Sequence, residues 1–145
     1  MNINQQKIKS LFNNLVDGDA GYKFQPATKE NILIFTQRAI ENGVDIKVIK
    51  QLVDLYEVAD YFYYEIIIAF YPCDDLTIFE WWSDKELWLG QRDFYTLRYA
   101  NNKFCLGDAS SVSFSEEYEF NTLIELIEGC IKDIKEADYF DKQNI

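Results

Sequence analysis

The hydrophobic pattern of this chain changes once, near residue 61, and that change constrains the fold more than any other feature. Before it, apolar residues recur three and four positions apart, which predicts amphipathic helices. After it, short aromatic and β-branched runs are separated by turn residues, which is typical of strands. Helical spacing returns only in the last run, at Leu123, Leu126, Ile127, Cys130, Ile131 and Ile134.

Three helices are predicted before residue 61. The first spans residues 4–16 and ends in the turn residues DGDAG (17–21). The second has Thr28 as its N-cap and Gly43 as a left-handed residue at its end, and the third follows a cap at Asp45. Their inward positions are predicted to be Ile32, Phe35, Ala39 and Ile40, and then Ile46, Ile49, Leu52, Val53 and Tyr56.

The strand candidates are YFYYEIIIAFY, LTIFEWW, ELWLG, DFYTLRY, KFCLG and SVSFS. The first is interpreted as one strand buried on both faces. Asn101 and Asn102 tolerate positive φ and predict a two-residue hairpin turn. Thr122 and Glu125 fit a capping box at the start of the last helix, and the chain beyond Tyr139 is expected to fray.

Strands that follow one another without crossover helices pair antiparallel, so the order of elements predicts an α+β fold. We expect an antiparallel or mixed sheet of about five to six strands with helices packed around it. The 145 residues fit one domain, 1–145, with an N-terminal helix and turn over 1–22, a core over 24–134 and a tail over 139–145.

Charge is distributed unevenly along the chain. Residues 1–50 carry seven Lys/Arg and five Asp/Glu (+2), whereas residues 51–145 carry seven Lys/Arg and twenty Asp/Glu (−13), for a total of −11. So acidic a surface disfavours nucleic-acid binding and favours a basic protein partner. We expect neither a membrane span nor a signal peptide, because the longest apolar stretch is IIIAFY, and hence expect a cytoplasmic location without a membrane partner.

The residue types restrict the available chemistry. The chain has no histidine, which excludes most Ser-His and Cys-His nucleophiles and His-ligated metals. Its three cysteines lack paired spacing and are predicted to be buried, reduced thiols. The sequence DGDAG lacks the pattern of a calcium loop, and no glycine-rich phosphate motif occurs. No metal or cofactor is therefore expected, and Arg92 and Arg98 are expected to pair with the surplus acids.

A carboxylate-based glycoside hydrolase is one alternative. Glu80 with Asp93, or Asp93 with Asp108, could serve as general acid and base beside tryptophans. That function requires a cleft in which one carboxyl has a raised pKa.

A protein-binding surface is the other interpretation, centred on CDDLTIFEWWSDKE (73–86). Trp81 and Trp82 are adjacent, so on a strand one ring would enter the core and the other would reach the surface as an interface anchor. Alternatively, both rings fill the core and the acids only solvate loops. The candidate partner-binding residues are Asp74, Asp75, Glu80, Trp81, Trp82, Asp84, Glu86, Glu116 and Glu117.

Three segments carry a resemblance to a known family. ATKENILIFTQRAIENG, with Thr28, Ile32 and Phe35, is similar to the leading helix of the SMI1/KNR4 (SUKH) superfamily. ELWLGQRDFYTLRY resembles its strand pair around a glycine and an aspartate, here Gly90 and Asp93. EFNTLIELIEGCI resembles the start of its last helix, with Phe120, Leu123 and Ile124 in the matching places.

The resemblance spans residues 24–134 and is strongest to bacterial members. It implies a sheet wrapped by helices and, for most bacterial relatives, an immunity protein that binds a toxin domain, often a nuclease. For the yeast namesake it implies regulation of cell-wall glucan synthesis through protein contacts. Neither role is enzymatic, and for this chain we expect a monomer or weak homodimer. The chain departs from the family around its third helix, with VDI (44–46) and YEVADY (56–61) in place of Leu-Pro and Asn-Gly.

Overall fold

Helices and a single sheet make up the computed structural model, which describes residues 1–16, 22–108, 110–113 and 115–143. The helices in these residues are α1 (Ile3–Leu15), α2 (Lys29–Glu41), α3 (Ile46–Val58), α4 (Thr77–Glu80) and α5 (Leu123–Gln143). The strands are β1 (Phe62–Tyr64), β2 (Ile68–Phe70), β3 (Leu87–Arg92), β4 (Tyr95–Ala100), β5 (Lys103–Gly107) and β6 (Glu119–Phe120). Neighbouring strands pair antiparallel in the order β1 to β6, which confirms the α+β fold.

The predicted helix starts are confirmed because each is fixed by a local hydrogen bond. Thr28 Oγ1 accepts from the backbone N–H of Asn31 at 3.1 Å, and Asp45 Oδ1 accepts from that of Lys47 at 2.7 Å. Thr122 Oγ1 accepts from the Glu125 N–H at 3.2 Å and starts α5. Gly43 has a φ of +80°, the left-handed conformation predicted for it after α2.

Two predicted inward positions are wrong. The side chains of Ile40 and Ile46 are 56% and 64% exposed. The buried residues of α2 are Phe35 and Ala39. Phe35 packs edge-on against Tyr56 of α3 and contacts Phe79, at centroid distances of 5.0 and 5.7 Å. Ile40 falls outside this buried face.

Three predicted strands are wrong in detail. YFYYEIIIAFY forms the hairpin of β1 and β2, because Glu65 adopts a φ of 51° and reverses the chain. The LTIFEWW segment is helical, with Thr77–Glu80 as α4 and a 3₁₀ turn at Trp82–Asp84. Among the described residues of SVSFS only Ser111 pairs, in an isolated bridge to Asp108.

The remaining local predictions have mixed outcomes. Asn101 and Asn102, with φ of 54° and 64°, form the predicted hairpin turn between β4 and β5. The tail was predicted to fray beyond Tyr139, but α5 continues to Gln143. The predicted turn DGDAG lies outside the described residues. None of the described helices is long and apolar enough to cross a membrane.

One face of the sheet packs against α1, α3 and α5 to form the core. Phe12 of α1 stacks on Phe62 of β1 at 3.8 Å, and Leu97 and Phe104 are fully buried beneath the helices. The cysteines are buried free thiols, as predicted. Burial raises the pKa of Cys73 and Cys130 to about 12 and that of Cys105 to about 11, so all three stay protonated at neutral pH.

Candidate functional site

The opposite face of the sheet is the candidate functional site. Cross-strand pairing places Tyr63, Ala69 and Gln91 on this face, and Trp88 lies opposite Arg98 on it. Over β4 and β5 the segment 110–113 covers it, with Cys105 Sγ donating to the Val112 carbonyl at 3.3 Å. We call the remaining area over β1 to β3 the open face, comprising Tyr61, Tyr63, Ala69, Tyr71, Trp81, Trp88 and Gln91.

Aromatic rings dominate the open face. Tyr61 and Tyr63 stack at 6.1 Å with an interplanar angle of 13°, and their side chains are 55% and 44% exposed. At the other end, Trp81 stacks on Trp88 at 5.2 Å and remains 40% exposed. Tyr71 lies between them, and burial together with the charge of Asp75 raises its pKa. Its phenol is therefore neutral at physiological pH.

Arg98 holds the tryptophan end in place. Its Cζ lies 4.4 Å from the centroid of the Trp88 ring, a cation–π contact, and its Nη1 donates to Glu86 Oε1 at 2.9 Å. Its Nε donates to Thr96 Oγ1 at 2.7 Å, and its Nη2 donates to the Asp108 carbonyl at 2.5 Å. The Arg98 side chain is 4% exposed and that of Glu86 13%, so this largely buried ion pair fixes Trp88 and, through it, Trp81.

A β-bulge positions Trp88 on the open face. Trp88 pairs with Arg98 and Gly90 with Leu97, so Leu89 is the extra residue of β3. A Cβ on Gly90 would lie 2.0 Å from the Ala69 carbonyl oxygen, so only glycine allows β2 and β3 to approach this closely.

The two adjacent tryptophans differ as expected, although not on a strand. Trp82 is half-buried against the core, and its Nε1 donates to the Asn42 carbonyl at 2.7 Å. Lys85 Nζ lies 5.1 Å from the Trp82 ring centroid. The strand assumed for these residues is wrong, but consecutive residues on a helical turn also point in different directions, so Trp81 is exposed while Trp82 packs inward.

The structure separates the candidate acids into groups. Asp74, Glu80 and Asp84 are exposed around the segment that carries Trp81. Asp75 accepts from the Thr77 N–H at 2.9 Å and starts α4, and Glu86 is paired with Arg98. These two therefore have structural partners within the chain.

Glu116 and Glu117 do not join that cluster. They lie on the 3₁₀ turn before β6, three strands from β3, a separation of about 14 Å across the sheet. A single surface that includes both groups of acids would have to extend across β4 and β5.

The acidic charge is also spread beyond the sheet. Exposed Glu125, Glu128 and Glu136 lie on α5. On the open-face side, Glu80 and Asp84 flank Trp81, and the exposed Glu65 and Asp93 occupy the β1–β2 and β3–β4 turns. The nearby cations Arg98 and Lys85 already contact Glu86 and the Trp82 ring, respectively. The tryptophan end of the open face and the two turns beside it therefore carry uncompensated negative charge.

The structure supports neither Asp108 as a general acid nor Glu80 and Asp93 as a pair. Hydrogen bonds from the backbone and side chain of Ser110 lower the pKa of Asp108, whereas a general acid needs a raised pKa. Asp93 follows the last residue of β3. Glu80 is the last residue of α4, and the next residue, Trp81, stacks on Trp88 near the start of β3, so the two carboxylates lie toward opposite ends of that strand. The six residues of β3 span about 20 Å. Within the described part of the chain, no cluster of three or more Cys, Asp or Glu could hold a metal ion.

Sequence reasoning missed the two most exposed apolar side chains at the turns. Ile66 in the β1–β2 turn is 88% exposed, and Phe94 in the β3–β4 turn is 97% exposed. The turns are joined by a hydrogen bond from the Asp93 N–H to the Ile67 carbonyl at 2.8 Å. Phe94 lies in the run DFYTLRY, where it fits the alternation of side chains expected for a strand. The sequence pattern therefore could not show that this residue belongs to the turn before β4.

The edge strands offer little for strand addition. The Tyr22 hydroxyl donates to the Tyr63 carbonyl at 2.9 Å and accepts from the Tyr63 N–H at 3.3 Å, which satisfies the free edge of β1 there. At the other edge, β6 has two residues. Recognition by side chains on the open face is therefore favoured over strand pairing.

A groove of about 340 Å³ lies on the helical side of the molecule, between α1, α3 and the start of α5. It is lined in part by Lys7, Gln51 and Asp54. Asp54 Oδ1 accepts from Asn2 Nδ2 at 2.9 Å, so this carboxylate helps to attach the start of α1 to α3. The groove is separate from the open face, which lies on the other side of the sheet.

No family model, curated protein or solved structure matches this chain. The likeness to the SMI1/KNR4 superfamily therefore remains a resemblance carried by the three segments described above.

Proposed function

We propose that this chain is a non-catalytic protein-binding domain whose open face docks a basic protein, and that it acts as an immunity protein against a toxin domain. The observation that carries the proposal is the exposed, pre-ordered aromatic surface with Trp81 at one end and Tyr61 and Tyr63 at the other. The resemblance to bacterial SMI1/KNR4 proteins supports the immunity role.

Aromatic side chains suit the centre of a protein interface. Trp and Tyr are enriched among the residues that dominate binding energy, because they bury large areas and lose few rotamers. Here the rings are already ordered, since Trp81 stacks on Trp88 and Tyr61 stacks on Tyr63. The entropy cost of fixing them on binding is correspondingly small.

The charge of the chain indicates the sign of its partner. A net charge of −11, with acids beside Trp81 and at the two turns, accelerates encounter with a cationic surface. A nuclease has a cationic substrate-binding surface because its substrate is a phosphodiester. Rapid association also suits an immunity protein, which must act before the toxin does.

A regulatory scaffold, such as one linked to cell-wall glucan synthesis, is the second candidate function. It would use the same open face and the same aromatic residues, so the structure does not distinguish a scaffold from an immunity protein. Protection of cells from the toxicity of the bound partner distinguishes the two functions. An immunity protein abolishes that toxicity at equimolar expression, whereas a scaffold has no such effect.

Binding of the partner is expected to depend on Trp81 and on salt. The chain is immobilised, exposed to extract of its natural host at 50 mM NaCl, and the captured proteins are identified by mass spectrometry. A basic protein should be retained, and the purified protein should bind the Trp81→Ala variant about 30-fold more weakly than the unaltered chain. The association rate should fall at least about tenfold at 300 mM NaCl, because exposed charges are screened.

Leu33→Ser provides the matched control, because Leu33 is 66% exposed on α2, away from the sheet. This variant should retain the affinity of the unaltered chain. An equal loss of affinity in the Trp81→Ala and Leu33→Ser variants would refute the proposed surface. An association rate that does not change with salt would refute the electrostatic mechanism.

A further inference from the structure

Trp81 differs from the other two tryptophans in its cationic neighbours. Trp88 has the Arg98 guanidinium 4.4 Å from its ring centroid, and Trp82 has the Lys85 ammonium at 5.1 Å. Within the described residues, Trp81 has no such cation, although it is the most exposed of the three. Its ring contacts Trp88 on one side, and 40% of its surface remains accessible to solvent.

Acidic residues flank Trp81 in the sequence. Glu80 precedes Trp81 directly and Asp84 follows on the next turn, and both are exposed. The Asp84 N–H donates to the Trp81 carbonyl at 3.0 Å, which holds that turn beside the tryptophan. An aromatic face combined with adjacent carboxylates attracts a cation more strongly than either feature alone.

We infer that the solvent-exposed side of Trp81 is a binding site for an arginine side chain of the partner. The site would repeat, between two proteins, the contact that Arg98 makes with Trp88 inside this one. The inference rests on the proposed function, because it names the chemical group that the open face recognises.

Arginine is a better match than lysine for physical reasons. A guanidinium is planar and weakly hydrated, so it stacks on an indole while its edge donates to carboxylates such as those of Glu80 and Asp84. An ammonium is a compact, strongly hydrated charge and would lose more solvation in the same position. The acidic residues would attract both side chains, so only the stacking contact discriminates between them.

Calorimetry with defined peptides tests the inference. The probes are the acetylated, amidated peptide GRGRGRG and its counterparts in which lysine or citrulline replaces each arginine. At 50 mM NaCl we expect the arginine peptide to bind at least about threefold more tightly than the lysine peptide and at least about tenfold more tightly than the citrulline peptide. In NMR spectra, the indole N–H signal of Trp81 should shift more than those of Trp82 and Trp88.

Two variants separate the site from general attraction. Trp81→Leu keeps a large apolar side chain but removes the aromatic ring, and it should weaken binding of the arginine peptide about tenfold. Trp81→Phe keeps an aromatic ring and should weaken binding less. Phe94→Ser removes a 97% exposed aromatic ring at the far end of β3 and should change nothing. Circular dichroism and thermal unfolding confirm that each variant is folded.

Equal affinity for the arginine and lysine peptides, or unchanged binding by Trp81→Leu, would overturn the inference. The proposed function would survive that outcome if a basic partner still bound the open face. If the arginine peptide binds at Trp81 but no protein partner binds the open face, the proposed function fails and the arginine site stands. If a basic partner binds the open face without preferring arginine at Trp81, the arginine site fails and the proposed function stands.

Discussion

Replacing Glu86 with alanine is expected to lower the free energy of unfolding by about 3 kcal/mol, the effect of leaving a buried charge without its partner. The Arg98 side chain is 4% exposed, and its Nη1 lies 2.9 Å from Glu86 Oε1, so loss of the carboxylate leaves a buried guanidinium without its charged acceptor. The remaining acceptors, Thr96 Oγ1 and the Asp108 carbonyl, are neutral. Urea unfolding monitored by tryptophan fluorescence measures the change.

The matched control is Glu80→Ala, which removes an exposed acid from the same segment and should alter stability by less than about 0.5 kcal/mol. The double variant Glu86→Ala/Arg98→Met should recover most of the loss, because it removes both buried charges together. A Glu86→Ala variant as stable as the Glu80→Ala variant would show that the ion pair does not hold this face together.

Replacing Gly90 with alanine is expected to destabilise the protein by about 3 kcal/mol or more. The added Cβ would lie 2.0 Å from the Ala69 carbonyl oxygen and 3.0 Å from Phe70 Cα, so β2 and β3 would have to separate. Both contacts are with backbone atoms, which cannot move aside as a side chain can. Thermal and urea unfolding of the variant provide the measurement.

Gly129→Ala is the informative comparison. Its Cβ would meet the Phe120 ring at 2.7 Å, but that ring belongs to a half-buried side chain that can rotate. Alanine also favours the helix by about 1 kcal/mol over glycine, which offsets part of the clash. Gly129→Ala should therefore be the milder change, and the opposite order would contradict the close approach of β2 and β3.

Local chemistry explains which parts of the fold were predictable from sequence. The helix starts at Thr28 and Asp45 and the turn at Asn101 depend on neighbouring residues, so their patterns were sufficient. The β1–β2 hairpin depends instead on a non-glycine residue with positive φ at Glu65, and α4 replaced a strand-like run of aromatic residues. No turn motif surrounds Glu65, and the four residues of α4 are too few to show helical spacing, although Asp75 accepts a hydrogen bond from its first residue.

The site was predictable only in part for a similar reason. The sequence predicted that one of Trp81 and Trp82 reaches the surface and that Arg98 pairs with an acid. It did not show which of the two rings is exposed or that Glu86 is the acid. Tyr61 and Tyr63 were assigned to a strand buried on both faces, whereas pairing in the sheet leaves them on the open face. Which side of a short strand faces solvent is decided by cross-strand register, which a single sequence does not contain.

Photo-crosslinking in the natural host tests the central claim most directly. A benzophenone amino acid is placed at Tyr63 on the open face or, in a separate variant, at Leu33 on α2, and adducts formed under ultraviolet light are identified by mass spectrometry. Our account predicts an adduct with a basic protein from position 63 and none from position 33. An adduct from position 33 alone, or an acidic protein captured at position 63, would contradict it.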